Sequence, residues 1–288
     1  MEIFRTLGAL IEPPRPELAP LCEALELGPL PSMSEHTDLL QFQLYPYASV
    51  YLGPEGMLGG EARDTIAGFW RALGLVPPTE PDHLTVMLAF IAELGRHEAE
   101  DIAHAELWCR ARQTFLSEHL LSWLPMYLAK LEGLVSEDSF YRRWGRLLRQ
   151  CLTEETAGVD AEWRPSIHLD SVPALADPRE AGLEAFLDAL LSPVRSGVVW
   201  VRDDLRRAAQ RLELGTRAGE RRFVLKALLG QDAAATLDWL ADEAAAWGAL
   251  LKRQAAQWGE SCGAAFRHWT ARAEATAGLL TELEEIDR

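Results

Sequence analysis

Glu80-Pro81-Asp82-His83 places two carboxylates and an imidazole within four residues. Carboxylates accept guanidinium forks, and an imidazole donates to a carbonyl or takes up a proton near neutral pH. Part of the tetrapeptide has an ordinary structural explanation. Thr79 fits an N-cap, and Asp82 sits where it would reach back to the cap's amide. Pro81 is tolerated in a first turn, where its missing N–H has no helical partner. The spacing therefore predicts a capping box opening the helix that carries Leu84, Met87, Leu88, Ile91 and Leu94. Capping does not account for His83.

Other candidate groups flank this segment. Tyr45, Tyr47 and Tyr51 precede it, each with a polar tip that needs a partner, and such rings would suit an apolar peptide segment. His119, Trp123 and Pro125 follow it in Phe115-Leu-Ser-Glu-His-Leu-Leu-Ser-Trp-Leu-Pro. His119 beside leucines reads more simply as a core residue than as a ligand. Between the two lies His97-Glu98-Ala-Glu100-Asp101-Ile-Ala-His104. Its histidines are not in the HExxH spacing of a zincin, so Glu100 and His104 make at most a two-ligand half-site on an acidic helix face. Asp82-His83 runs in the wrong order for an HD-type phosphohydrolase. No Walker, Rossmann or GxSxG pattern is present. Cys22, Cys109, Cys151 and Cys262 form no CxxC pair, which predicts reduced, mostly buried thiols.

The elements that must position these groups are helices. Ile66, Phe69, Trp70 and Leu73 form a helical stripe after the Gly59-Gly60 turn, ahead of a capping or first-turn Glu61. Leu116, Leu120, Trp123, Tyr127, Leu128 and Leu131 form another, which Pro125 must kink or break. Phe140, Trp144, Leu147, Leu148 and Cys151 mark a third. Periodicity fades over 156–180, predicting a connecting loop between a helical core at 1–155 and a helical extension at 181–288 packed on it. In the extension, Ser192 to Gly197 reads as a loop, and Gly197 to Val201 is the one strand-like run. Arg202-Asp-Asp-Leu-Arg-Arg reads as a helix N-terminus with its acids set against the dipole. The cluster from Arg217 to Arg222 reads as a surface face. The last helix is predicted to carry Trp258, Cys262, Phe266 and Trp269.

The chain has 288 residues, 48% of them hydrophobic, enough for a substantial core. Its net charge of −16 argues against a nucleic-acid partner and is compatible with a basic peptide. No apolar run approaches the roughly 18 residues of a membrane helix. The first residues lack a basic n-region and a long apolar stretch, and read as a first helix and not a signal peptide.

Tyr47-Ala-Ser-Val-Tyr51, Glu80-Pro-Asp-His83 and the His119-Leu-x-x-Trp123-x-Pro125 string together resemble the TorD/DmsD/NarJ family of molybdoenzyme assembly chaperones. Val50 stands where that family usually has leucine, and Tyr51 where it has phenylalanine. The resemblance covers residues 1–155 well and the rest loosely. It implies an all-α, TorD-like helical bundle with a helical C-terminal extension. It further implies a cytoplasmic chaperone without catalysis or cofactor. Such a protein binds the twin-arginine signal peptide or N-terminal segment of a molybdopterin oxidoreductase catalytic subunit and assists cofactor insertion before export or assembly. Carried over, the peptide-binding residues are Tyr47, Tyr51, Glu80, Pro81, Asp82 and His83, with His119, Trp123 and Pro125 as secondary members. No metal site, nucleic-acid partner or membrane insertion is expected, and monomer and homodimer both remain open. The rival readings are a helical metal-dependent hydrolase and a helical scaffold without a peptide site.

Overall fold

The structure is a computed structural model and describes residues 1–157, 169, 171–216, 218–259 and 262–287. It is all-α. The first half comprises α1 (Glu2–Ala9), α2 (Ala19–Ala24), α3 (Met33–His36), α4 (Ala48–Leu52), α5 (Gly60–Ala72), α6 (Leu84–Glu100), α7 (Ala105–Thr114), α8 (Leu124–Leu134) and α9 (Phe140–Thr156). Two π-helical turns, Thr37–Gln43 and Phe115–Leu120, extend α3 and α7. The second half comprises α10 (Pro178–Ala181), α11 (Leu183–Leu191), α12 (Pro193–Ser196), α13 (Arg202–Arg211), α14 (Arg221–Leu229), α15 (Ala233–Trp258) and α16 (Gly263–Asp287). Of the connection predicted over 156–180, residues 158–168 and 170 lie outside the described residues. Among those described there is no β-strand, only an isolated antiparallel bridge between Tyr47 and His83.

The apolar stripes read from the sequence become the core. Leu84, Met87, Leu88, Ile91 and Leu94 are all buried, which places α6 at the centre of the first half against α1 and α7. Each such side chain stabilises the fold by about 1.5–3 kcal/mol relative to exposure. The indole of Trp144 on α9 donates to the Leu7 carbonyl at 2.9 Å, closing α9 onto α1. One hydrophobic cluster joins both halves, running from Phe4 to Leu280. Two polar links reinforce it. Trp269 Nε1 donates to the Ser122 carbonyl at 2.8 Å, and Lys130 Nζ meets both oxygens of buried Asp204 at 2.7 and 2.9 Å.

Several local expectations are corrected. Pro125 does not kink one long helix; the chain turns at 121–123, and Pro125 sits in the first turn of α8, where a missing N–H costs nothing. Ser192 to Gly197 is not a loop but contains α12, closed by Gly197 in the left-handed region at φ 73°. A Cβ on Gly197 would overlap the backbone of Ala273, so only glycine allows α12 this close to α16. Val198 to Val201 is not a strand. It is a buried extended connector to α13, hydrophobic because it is enclosed on all sides. Trp258 ends α15 and is not on the last helix; Gly259, at φ 71°, stops α15 there.

Candidate functional site

The predicted capping box does not form. Residues 79–83 are non-helical, and α6 starts at Leu84 with His83 as its N-cap residue in extended conformation. The reason is a longer-range pairing. Ala48 N donates to the Asp82 carbonyl at 2.9 Å, and Leu84 N donates to the Pro46 carbonyl at 2.8 Å. These reciprocal bonds need extended backbone at His83, which excludes a helical turn there. They also stitch the aromatic segment to the acidic tetrapeptide. Asp82 is buried, and its Oδ2 accepts from Ser49 N at 3.4 Å, at the start of α4 rather than of α6.

On the outer side of this stitch, Tyr47, Glu80 and His83 meet. The Tyr47 hydroxyl donates to Glu80 Oε2 at 3.2 Å, and the Tyr47 and His83 rings pack edge to face at 4.6 Å. His83 Nδ1 lies 3.6 Å from Glu12 Oε1, bringing in a carboxylate from the end of α1 that the sequence reading missed. No spacing links Glu12 to the tetrapeptide, and only packing of α1 on α6 joins them. Burial, followed by the charges of Glu80, Asp82 and Glu12, pushes the Tyr47 hydroxyl up to about 12, so it remains a donor. Burial lowers the His83 pKa, against the opposing pull of Glu12, Glu80 and Asp82. The result is a neutral imidazole beside two carboxylates that reach solvent. Glu80 is exposed, and Glu12 keeps 38% of its side chain exposed.

The remaining predicted site residues lie behind this face. Tyr51 is enclosed; its hydroxyl donates to the Tyr45 carbonyl at 2.9 Å, and its ring stacks on Trp123 at 5.0 Å. Trp123 is fully buried and donates to the His119 carbonyl at 3.0 Å. His119 is buried against Phe69 and Phe115, and Pro81 and Pro125 are buried too. The tyrosines therefore do not line an open groove: Tyr51 packs with Trp123 inside the core, and Tyr47 faces the patch.

The histidines of the tempting metal motif are engaged separately. His97 stacks on Trp108 at 4.5 Å, while His104 lies beyond the end of α6 and faces Asp101 at 3.0 Å. Among the described residues no group of three or more His, Cys, Asp or Glu side chains is arranged to hold a metal ion. Burial pushes all four thiols above their ordinary value, Cys262 to about 12.

The segment that holds this arrangement is also the one with known relatives. Residues 18–129 match the family described as nitrate reductase delta subunit. Over those residues the chain is similar to this family. The chaperone protein TorD of Vibrio vulnificus strain YJ016 is 36% identical over 109 residues, 36% of this chain and 50% of that protein. TorD of Shewanella pealeana is 31% identical over 137 residues, 44% of this chain and 55% of its own. The selenate reductase assembly chaperone protein of Thauera selenatis is 39% identical over 71 residues, 24% and 35% of the two chains. The chain spans about half the length of the TorD relatives it matches. No solved structure matches it. The family match takes in Tyr47 and Glu80 to His83, but not Glu12 and none of α9 to α16.

Proposed function

We propose that this protein is a cytoplasmic assembly chaperone for a molybdopterin-dependent oxidoreductase. It binds the signal peptide or N-terminal segment of the catalytic subunit, assists cofactor insertion, and releases the subunit for export or assembly. It catalyses nothing and needs no cofactor of its own. What supports this reading is the stitched patch of Tyr47, Glu80 and His83, which lies within the segment that matches named assembly chaperones. Glu80 Oε1 has no partner among the described residues, and Glu12 is open beside it. These two carboxylates suit the arginines of a twin-arginine signal through charge-assisted forks. The net charge of −16 steers a basic peptide towards the patch over longer range.

In this reading the contact residues are Tyr47, Glu80 and His83, with Glu12 added. Asp82 and Pro81 fix the loop, while Tyr51, His119, Trp123 and Pro125 support it from within. The apolar part of the peptide meets the loops bracketing the patch, which expose Met57, Leu58 and Val76. The loop of Met57 and Leu58 is tied back by Gly59 N donating to Ser49 Oγ at 3.1 Å, and Arg63 Nη2 holds the Thr79 carbonyl at 2.9 Å. Among the described residues no helix is long and apolar enough to cross a membrane.

The test is fluorescence anisotropy with a labelled peptide carrying an Arg-Arg pair before an apolar stretch, alongside its Lys-Lys and Gln-Gln versions. Saturable binding ordered Arg-Arg over Lys-Lys over Gln-Gln, and weakened by Glu80→Gln, is expected. Indifference to the arginines would remove the reading. Capture from the native host with mass spectrometry then identifies the oxidoreductase subunit, and light scattering decides between monomer and homodimer.

A further inference from the structure

Near the starts of α13 and α14, Arg206, Arg207 and Arg222 are matched by carboxylates. Arg206 meets Asp203 at 2.6 Å, Arg207 meets Asp204 and Glu243 at 2.9 and 3.0 Å, and Arg222 meets Glu184 and Asp188 at 2.6 and 3.0 Å. Arg202 and Arg221 differ. Among the described residues, Arg202 has only the ring of Phe42, 5.6 Å from its guanidinium carbon, and Arg221 only the carbonyl of Trp200. The nearby carboxylates are already engaged, Asp203 with Arg206, and Asp204 with Lys130 and Arg207.

Both unmatched arginines line one cleft of about 410 Å³, together with Gln43 and the Asp203–Arg206 ion pair, between the start of α13 and the start of α14. Arg221 is not the surface residue expected from the basic run around it. It is partly buried, and burial, with Arg202 adding to it, depresses its pKa. A guanidinium does not give up its proton in a protein, so a charge this enclosed needs an anion to offset its lost hydration. The cleft also receives the beginning of α14, where Glu220 is the N-cap residue and no side chain caps the first amides. Those N–H groups are donors without a helical acceptor. Two guanidiniums and free helix amides, facing one space, make a receptor for two negative charges on oxygen.

We propose that this cleft binds a small dianionic oxyanion, a phosphate monoester or a dicarboxylate, clamped between Arg202 and Arg221 and seated on the first amides of α14. Arg202, Arg221 and α14 lie outside the family match, and the site does not depend on the peptide reading. Isothermal titration calorimetry of the full chain tests it, with inorganic phosphate and with succinate, each at fixed ionic strength. Saturable one-to-one binding of either probe is expected, weakened at least about tenfold in Arg202→Gln, equivalent to about 1.4 kcal/mol. The tighter probe names the ligand class. Arg202 is exposed, so this variant retains the fold, checked by an unchanged melting temperature without ligand; Arg221→Gln is the second variant. Failure of both probes to saturate, or equal binding by wild type and Arg202→Gln, overturns the proposal.

Discussion

Asp82 and Asp204 are both buried carboxylates next to a helix start, one in each half of the molecule, and they are held differently. Asp82 serves α4 through a single long bond from Ser49 N, in a setting where the neighbouring charges are other carboxylates and a neutral imidazole. Asp204 serves α13 by accepting from Val201 N at 2.8 Å, and it is also flanked by Lys130 and Arg207. Asp204 is thus neutralised by a lysine from the first half and an arginine from its own helix. Asp82 is held instead by a backbone amide, with Glu80 and Glu12 open beside its loop. The patch beside Asp82 is acidic, at Glu80 and Glu12, whereas the cleft near Asp204 carries Arg202 and Arg221.

The contrast is broken most directly at Asp204. Asp204→Ala strips a partly buried lysine of its partner, and breaking such a pair costs about 3–5 kcal/mol. Urea unfolding should show that loss, and a cost under about 1 kcal/mol would mean Lys130 is better hydrated than its packing implies. Asp82→Ala removes only a cap, so about 1–2 kcal/mol is expected in the same assay, with Asp82→Asn closer to wild type. If Asp82→Ala proved as damaging as Asp204→Ala, the two carboxylates would be equivalent and the comparison would fail.

A sharper distinction comes from the exposed acid. Glu80→Gln should leave stability within about 0.5 kcal/mol of wild type. It should still weaken an Arg-Arg peptide roughly 5- to 10-fold, the worth of one charge-assisted bond. The smallest expected effect is on pH dependence. Burial lowers the folded-state pKa of His83 below its ordinary 6.5, so the unfolded chain binds the proton more readily. That contribution to stability is complete above about pH 6.5 and is lost as pH falls towards the folded value. His36, which faces the Tyr141 hydroxyl at 3.1 Å, shifts in the same direction for the same reason. Melting temperatures between pH 7 and pH 5 should decline less steeply in His83→Gln than in wild type, with His36 supplying the remaining slope.

The sequence made the helical stripes legible because burial on α5, α6 and α9 repeats with the helix period, and each stripe lies within one element. Tyr47, Glu80 and His83 were legible for a different reason, as a pattern resembling a known family. What stayed hidden depended on contacts between distant segments. Thr79-x-x-Asp82 is a sound local capping signal, but the backbone bonds to Pro46 and Ala48 outweigh it. Glu12 reaches His83 only through the packing of α1 on α6. Tyr51 and Trp123 read equally well as groove or wall, since an aromatic row has the same spacing in both, and only burial separates them. Arg221 lies in a run of basic residues whose pattern says surface, and its position was set by the Trp200 carbonyl on a connector that no periodicity marks.

The bond from the Trp269 indole to the Ser122 carbonyl fixes an order of events in the cell. Protein synthesis delivers residues 115–134 well before residues 263–287, and early segments start folding while later ones are still being made. Until α16 emerges, the turn between the second π-helical segment and α8 lacks the donor that satisfies it in the finished protein. The turn beside Trp123 is therefore completed by residues translated well after it. A nascent chain stalled before Trp269 would leave the Ser122 carbonyl without that donor, so the contact itself reports that translation has run past Trp269.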